Sequence, residues 1–376
     1  MYHNIKKTTY QFIFSFTCLS LICFSQSLLA QNTHSESGTT IMQQPIHEKA
    51  TVLILTTGGT IAGQAQDHKS LGYHAGQTSG EALIASVPAL KDLANIQVEA
   101  VSQIGSQDMS DAILLDLVHH IQKAETNPKL AGIVITHGTD TMEETAFFLN
   151  EVLPHHKPII LVGAMRPAGY ASADGNANLI DAVKVATSPL AKNRPVMIVM
   201  NDTIFSARSA QKMNTTNLEA FQAPNAGSIG IVNNEHVRFY LPSFSQETEY
   251  LSPPSQAPFP RVDIIYSHVQ MDGDLIEDAV KRGTKGIILA GVGDGNTSAA
   301  ALKALQNAAN KGVVIVRSTR VGSGFVNRNV EINDDQNHFV VSEDLNPQKS
   351  RLLLQILLAN HITTPSQIQT IFSKLY

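Results

Sequence analysis

Three places in the chain set polar, chemistry-bearing side chains where an apolar run gives out. The first is Thr60, in LILTTGGTIAG, where the strand-like run 52–55 is broken by Gly58 and Gly59. The second is Thr139 with Asp140, in ITHGTD, directly after Ile133, Val134 and Ile135. The third is Lys212, in ARSAQKMNTTN, downstream of a run that ends at Met200. A hydroxyl, an amine and a carboxylate brought together suit nucleophilic attack on a carbonyl carbon. A threonine hydroxyl is almost fully protonated at neutral pH and needs a base or an acidifying neighbour within hydrogen-bond reach. A desolvated lysine can be that base, while a carboxylate beside it raises the lysine pKa and works the other way.

Each residue also has an ordinary reading. Thr139 and Asp140 suit a turn and a helix cap, and Thr141 with Glu144 spells a capping box that would start the next helix. A lone lysine is most often simply exposed. Ser209 to Lys212 gives the S-x-x-K of penicillin-binding enzymes, but the chain carries neither S-D-N nor K-T-G. A dinucleotide fold also opens with strand, glycine turn and helix. Gly58, Thr60 and Gly63 fall on its three fingerprint positions, and Glu81 lies roughly 20 residues on. Against that reading, Thr60 puts a branched Cβ where backbone must approach a pyrophosphate. His119–His120 and His155–His156 are adjacent pairs, which point to different faces of a helix, and H-E-x-x-H is absent. Neither a metal nor a cofactor is expected.

The elements that must position these residues alternate. Strand-like runs TVLIL, GIVIT, PIILVGA and PVMIVM are separated by helical stretches such as DAILLDLVHHIQKA and TMEETAFFLNEVL. In the latter, Met142, Ala146, Leu149 and Leu153 recur at helical spacing. Such alternation implies a parallel sheet with helices on both faces, and ligands in such sheets bind beyond the carboxyl ends of the strands. Residues 241–260 carry five prolines and read as a linker. VDIIYS, GIILAGV and GVVIVRS follow, with a final helix expected over 348–360. The reading is α/β throughout, with a larger domain at 50–240 and a smaller one at 261–376.

Residues 1–30 read as a secretory signal. Lys6 and Lys7 precede an apolar stretch, 12–24, too short to span a bilayer, and Ser27-Leu28-Leu29-Ala30 offers a cleavage site after Ala30. Ile22 stands before Cys23 where a lipoprotein signal would have a small residue. Residues 31–49 are polar and read as a tether. Cleavage removes Cys18 and Cys23, the only cysteines, and takes the formal charge from −5 to −7. A mature chain of that kind has no disulfide or thiolate chemistry, and its charge gives no reason to expect nucleic acid or membrane as partner. The expected location is the periplasm.

TGGTIAG, GSQDM, ITHGTDTMEETAFFL, VGAMRP, SADG, VMNDTI and LNPQKSR, in this order, resemble the bacterial type II L-asparaginases and their glutaminase-asparaginase relatives. The likeness runs from about Thr51 to Tyr376. It implies a larger N-terminal domain with a mainly parallel sheet and a smaller, flavodoxin-like C-terminal α/β domain. It also implies hydrolysis of L-asparagine to L-aspartate and ammonia, with some L-glutaminase activity.

By the same resemblance Thr60 is the nucleophile, Tyr73 is a lid tyrosine bonded to it, and Thr139, Asp140 and Lys212 complete the catalytic set. Gly63, Gly72, Gly76 and Gly80 give that lid backbone freedom. Ser106 and Gln107 match residues that hold the substrate α-carboxylate, and Asp140 one that takes its α-ammonium. Backbone at Gly59, Thr60 and Ala164 lies where oxyanion and carboxamide contacts are expected. Asn296 and Glu331 match residues lent by a neighbouring subunit, so the resemblance implies a homotetramer with sites shared across its intimate dimers. GSQD is similar to asparagine-preferring members and VGSGFVNRN to glutaminase-asparaginases. Asp294 departs from relatives that have asparagine, and as a loop aspartate it is expected to be solvated. The competing reading is an exported amino-acid-binding protein, since those also place two α/β domains around a cleft. A binder needs the zwitterion contacts but not Thr60, Tyr73, Thr139 and Lys212 together.

Overall fold

The computed structural model describes residues 49–65, 73–74, 76–243 and 250–374. The expected signal, its cleavage site after Ala30, both cysteines, tether residues 31–48 and Gly72 lie outside them.

The larger sheet has eight strands. Five are parallel: β1 (Thr51–Gly58), β4 (Asn95–Ile104), β5 (Leu130–Thr136), β6 (Ile159–Val162) and β7 (Met197–Met200). Between β1 and β4 the chain makes a small hairpin, β2 (Gln64–Ala65) with β3 (Tyr73–His74). Past β7 the chain turns back, so β8 (Thr203–Ser206), β11 (Gly230–Val232) and β12 (Val237–Phe239) extend the sheet antiparallel. β9 (Gln211–Lys212) and β10 (Phe221–Gln222) form a separate ribbon. The strand order is β12-β11-β8-β7-β6-β5-β1-β4.

β1 is buried on both faces because its apolar residues run without a break, as covered parallel strands require. Side chains alternate between the faces. Leu53, Leu55, Ile133 and Ile135 join the core beneath helices Asp111–Glu125 and Met142–Val152. Val52, Ile54, Val134 and Ile160 join the core beneath helix Gly175–Thr187. β4, at one edge of the sheet, has only half-buried and exposed positions, as a strand with one solvated face does.

The smaller domain has four parallel strands in chain order, β13 (Val262–Tyr266), β14 (Gly286–Gly291), β15 (Val314–Thr319) and β16 (Val340–Val341). A flavodoxin-like sheet reverses its strand order once, so the likeness here lies in the parallel layering. Ile287, Leu289 and Ile315 face helices Asp274–Lys281 and Ala299–Ala309. Ile288, Val314 and Val316 face the other way, onto helix Pro347–Ala359, and belong to the same core as Leu53 and Phe148 of the larger domain. The expected final helix is followed by another, Pro365–Phe372, which buries Ile368 and Phe372.

The proline-rich segment packs onto that shared core. Phe259 is buried, stacks on Phe148 with ring centroids 5.6 Å apart, and donates its backbone N–H to Asp111. Leu251 N–H donates to the Glu151 carbonyl. Phe148→Ala is therefore expected to cost about 3–5 kcal/mol, read as a lower midpoint in urea unfolding. A midpoint unchanged from that of the unaltered chain would contradict the shared core.

Candidate active site

β1 and β5 run in parallel register as far as Thr56 opposite Thr136. The Thr57 hydroxyl then donates to the Thr136 carbonyl, 2.9 Å away, and ties the two strand ends. Beyond that point Gly58 and Gly59 thread a gap without room for side chains. A Cβ at Gly58 would fall 2.6 Å from Ile104 N, and one at Gly59 would fall 2.5 Å from Gly138 Cα. Gly59 also holds φ at +80°, a backbone state that L side chains rarely adopt. Its N–H donates to Ile104 O, and its carbonyl accepts from Gly76 N–H. Thr60, buried in a 3-10 turn over 60–62, is thereby set beside the loop that follows β5.

That loop carries Thr139 and Asp140. His137 beneath it is fully buried. Its Nδ1 lies 2.7 Å from the Gly138 carbonyl and its Nε2 2.9 Å from the Thr145 hydroxyl. A carbonyl only accepts, so Nδ1 holds the proton and Nε2 accepts from Thr145. Burial pushes the imidazole pKa down to about 4. On the other flank, a Cβ at Gly163 would stand 3.0 Å from Thr139 Cγ2, which brings the end of β6 and buried Ala164 against the same loop. Asp174, from SADG, accepts the N–H groups of Met165 and Arg166 and fixes the turn after Ala164.

Lys212 in β9 reaches this cluster from the ribbon. Its Nζ donates to Thr139 Oγ1 at 2.9 Å and to Asp140 Oδ1 at 2.6 Å. Asp140 is 64% exposed and Lys212 16%. An ion pair so open to water adds little to stability, so its effect is to aim the ammonium at the Thr139 hydroxyl. A cation donating to a hydroxyl oxygen favours its deprotonated form. Asp140 and Lys212 open into a cleft of about 330 Å³ lined also by Glu143, Met213, Asn214 and Gln348.

Ser106 and Gln107 lie in a 3-10 turn over 106–108 after β4. Ser106 is buried under Gly138, where a Cβ would stand 2.6 Å from Ser106 Oγ, while Gln107 is exposed. The expected capping box does not form. Thr141 is the N-cap of helix Met142–Val152, but its hydroxyl makes no cap bond and instead donates to the Ser106 carbonyl at 2.7 Å. The Glu144 N–H that a capping box would direct to the hydroxyl bonds to the Thr141 carbonyl instead, at 3.1 Å.

Asn296 and Glu331 form a second group on the smaller domain, with Asn296 Nδ2 donating to Glu331 Oε2 at 3.0 Å. Buried Arg317 holds their loops. It pairs with Asp334 through two bonds of 2.7 and 2.8 Å and donates to the carbonyls of Asp294, Gly295 and Asn327. Asp294 lies in a turn and is partly exposed. Its carboxylate accepts both the backbone N–H and the side-chain amide of Asn327, because two donors on one residue match its two oxygens. Tyr73 is placed through its backbone, in β3 opposite Ala65. Sequence reasoning missed Glu143, buried one residue into the helix after Thr139–Asp140, whose carboxylate accepts the Lys212 backbone N–H at 2.9 Å. A second acid beside a capping motif reads as part of the cap, so no local signal marks it.

Fold and site thus define a two-domain α/β protein with clustered hydroxyl, ammonium and carboxylate groups at the carboxyl ends of parallel strands. Residues 51–244 match the family model "Asparaginase, N-terminal", and residues 261–372 match "Glutaminase/Asparaginase C-terminal domain". The chain belongs to the asparaginase family. It is 42% identical over 325 residues to the "Probable L-asparaginase periplasmic" of Haemophilus influenzae, covering 85% of this chain and 92% of that one. It is also 42% identical over 314 residues to the glutaminase-asparaginase of Pseudomonas fluorescens biotype A, covering 82% and 86%. A crystal structure titled as a probable cytoplasmic L-asparaginase from Campylobacter jejuni superposes with a TM-score of 0.82 at 40% identity, covering 87% of this chain and all of that one.

The buried imidazole gives a pH test. Above pH 6.5 His137 is neutral in the folded and unfolded chain alike. Between 6.5 and about 4 the unfolded chain binds a proton that the folded chain refuses, so stability falls with falling pH. The gap between the two pKa values corresponds to about 3 kcal/mol. Urea unfolding at pH 7 and pH 4 should show a larger acid loss in the unaltered protein than in His137→Gln. Equal losses would contradict a neutral, doubly bonded imidazole.

Proposed function

We propose that the protein hydrolyses the side-chain amide of L-asparagine to L-aspartate and ammonia, with some activity on L-glutamine. The observation that carries the reading is the contact of Lys212 Nζ with both Thr139 Oγ1 and Asp140 Oδ1, in the loop against which Gly59 packs. The family is one of hydrolases acting on carbon–nitrogen bonds of linear amides, and the relatives named above are enzymes by name. The amino-acid-binding alternative is left without support, since a binder has no use for a lysine aimed at a buried threonine.

Thr60 Oγ attacks the amide carbon, forming a C–O bond while its proton passes to the Thr139–Lys212–Asp140 unit. The carbonyl oxygen carries the developing charge, and the backbone N–H of Thr60 and the Ala164 segment are suited to stabilise it. A proton returned to nitrogen lets ammonia leave, and water then breaks the ester and restores the threonine. Asp140 offers an anion to the substrate α-ammonium, while Ser106 and Gln107 supply donors for its α-carboxylate. Gly59 lets backbone come close to the reacting group, and Tyr73, on the hairpin after Thr60, acts from the lid. The protein needs no cofactor in this scheme.

Asn296 and Glu331 are lent by the neighbouring subunit in this reading, in a homotetramer of two intimate dimers. Closed twofold symmetry then makes two equivalent sites per dimer. The mature protein starts after Ala30 and works in the periplasm. Its N-terminal signal pattern and the name of the Haemophilus relative support that location. Among the described residues no helix is long and apolar enough to cross a membrane.

Ammonia release from asparagine tests the reaction, with glutamine as the comparison substrate. Thr60→Ala is expected to lower kcat by several orders of magnitude, about the scale of removing a nucleophile, with the fold intact. Near-normal turnover in folded Thr60→Ala protein would remove Thr60 from the chemistry. The shared site is tested by refolding Thr60→Ala chains together with Glu331→Ala chains. A mixed dimer has one site with both lesions and one with neither, so part of the activity should return. Mixed oligomers that stay inactive would show that each chain builds its own pocket.

A further inference from the structure

Lys212 sits in a two-residue strand, on a ribbon outside both main sheets. So short an element does not hold a side chain to within an ångström by its own backbone pairing. Its bonds to the rest of the fold lead elsewhere. The Glu143 carboxylate accepts the Lys212 backbone N–H with Oε2 at 2.9 Å. With Oε1 it accepts the side-chain amides of Asn346, at 3.2 Å, and Gln348. Asn346 is also the N-cap of helix Pro347–Ala359, accepting Lys349 N–H at 3.1 Å.

The same helix end grips the chain just before Lys212. Buried Lys349 Nζ donates to the carbonyl of Arg208 at 2.8 Å and to that of Ala210. Arg208 in turn makes a two-bond pair with Asp344, its shorter contact 2.6 Å. Burial pushes the Lys349 pKa down to about 8, against the opposing pull of the Glu143 carboxylate. The smaller domain thus holds residues 208 and 210 directly, through Lys349 and Asp344, and reaches the Lys212 backbone through one carboxylate, Glu143.

The geometry points to Glu143 as a positioning residue for the reaction. It joins the first turn of its own helix, the amide ends of Asn346 and Gln348, and the Lys212 backbone, and so fixes Lys212 Nζ against Thr139. Glu143 itself touches no reacting atom. Its effect falls on the step that uses Lys212, not on binding of the amino-acid end of the substrate, which Asp140, Ser106 and Gln107 hold. The inference rests on the asparagine-hydrolysis reading for its kinetics but not for its geometry.

Two measurements on Glu143→Ala test it. In ammonia release from asparagine, kcat should fall about 10- to 100-fold, the scale of a misplaced catalytic group, with KM within about threefold. Glu143→Gln, which keeps an oxygen for the Lys212 N–H, should recover most of that loss. A crystal structure of Glu143→Ala should show Lys212 Nζ beyond hydrogen-bond reach of Thr139 Oγ1. An unmoved Lys212, an unchanged kcat, or a loss carried by KM alone would overturn the inference. Should Glu143→Ala not fold, Gln348→Met at the partly exposed helix end removes one donor to the carboxylate. It should lower kcat about 3- to 10-fold by the same argument, and an unchanged kcat there would again overturn the inference. If the unaltered protein releases no ammonia, the hydrolysis reading fails, and the crystal structure still decides whether Glu143 positions Lys212.

Discussion

The site depends on one close approach, the passage of Gly59 against Gly138. Parallel strands normally keep their neighbours about 4.8 Å apart, and the loops beyond their ends diverge. Here the chain after β1 is drawn across the end of β5 until no Cβ fits between the two backbones. The contact is possible because Gly59 has no side chain to meet the Gly138 backbone and accepts a positive φ, while the open side of Gly138 leaves room for Ser106. It brings the turn that carries Thr60 against the loop that carries Thr139. Everything beneath it serves to hold the loop still: the Thr57 bond to the Thr136 carbonyl, the neutral His137 ring, and the Thr141 bond to the Ser106 carbonyl.

The smaller domain contributes to the same cluster without reaching it directly. Its helix Pro347–Ala359 packs its apolar face into the core shared with Phe148, while its N-terminal residues bond to Glu143 and to the carbonyls before Lys212. Burying a lysine ammonium in such a place is costly unless its donors find acceptors, and two carbonyls take two of the three here. The packing of the two domains and the aim of Lys212 are therefore one structural problem, solved by one helix end. Arg317 plays a comparable part within the smaller domain, drawing the loops of Asn296 and Glu331 together around Asp334.

The parallel strands were legible because uninterrupted apolar runs bounded by glycine have few other solutions, and Thr139 with Asp140 stood out because they follow such a run. Lys212 was legible only in combination, since nothing local separates it from a surface lysine. The capping box failed because the Thr141 side chain is turned to the Ser106 carbonyl, 35 residues away, a partner that a four-residue pattern does not contain. The Asn327 bonds of Asp294 were not legible for the same reason: that partner lies 33 residues away. Glu143 escaped notice because its role depends on Asn346 and Gln348, about two hundred residues on. Local chemistry reads well from sequence, whereas choices among long-range partners do not.

In the proposed reaction Thr139 and Lys212 act as one unit on the hydroxyl chemistry, through the 2.9 Å contact between them. A double-mutant cycle in kcat, with Thr139→Ala, Lys212→Met and the pair together, measures this most directly. Residues acting as a unit lose nearly everything on the first substitution. Each single change is expected to be severe, and the double change only slightly worse than either. Losses that multiply would mean that Thr139 and Lys212 contribute independently, and the contact would then have no share in the reaction.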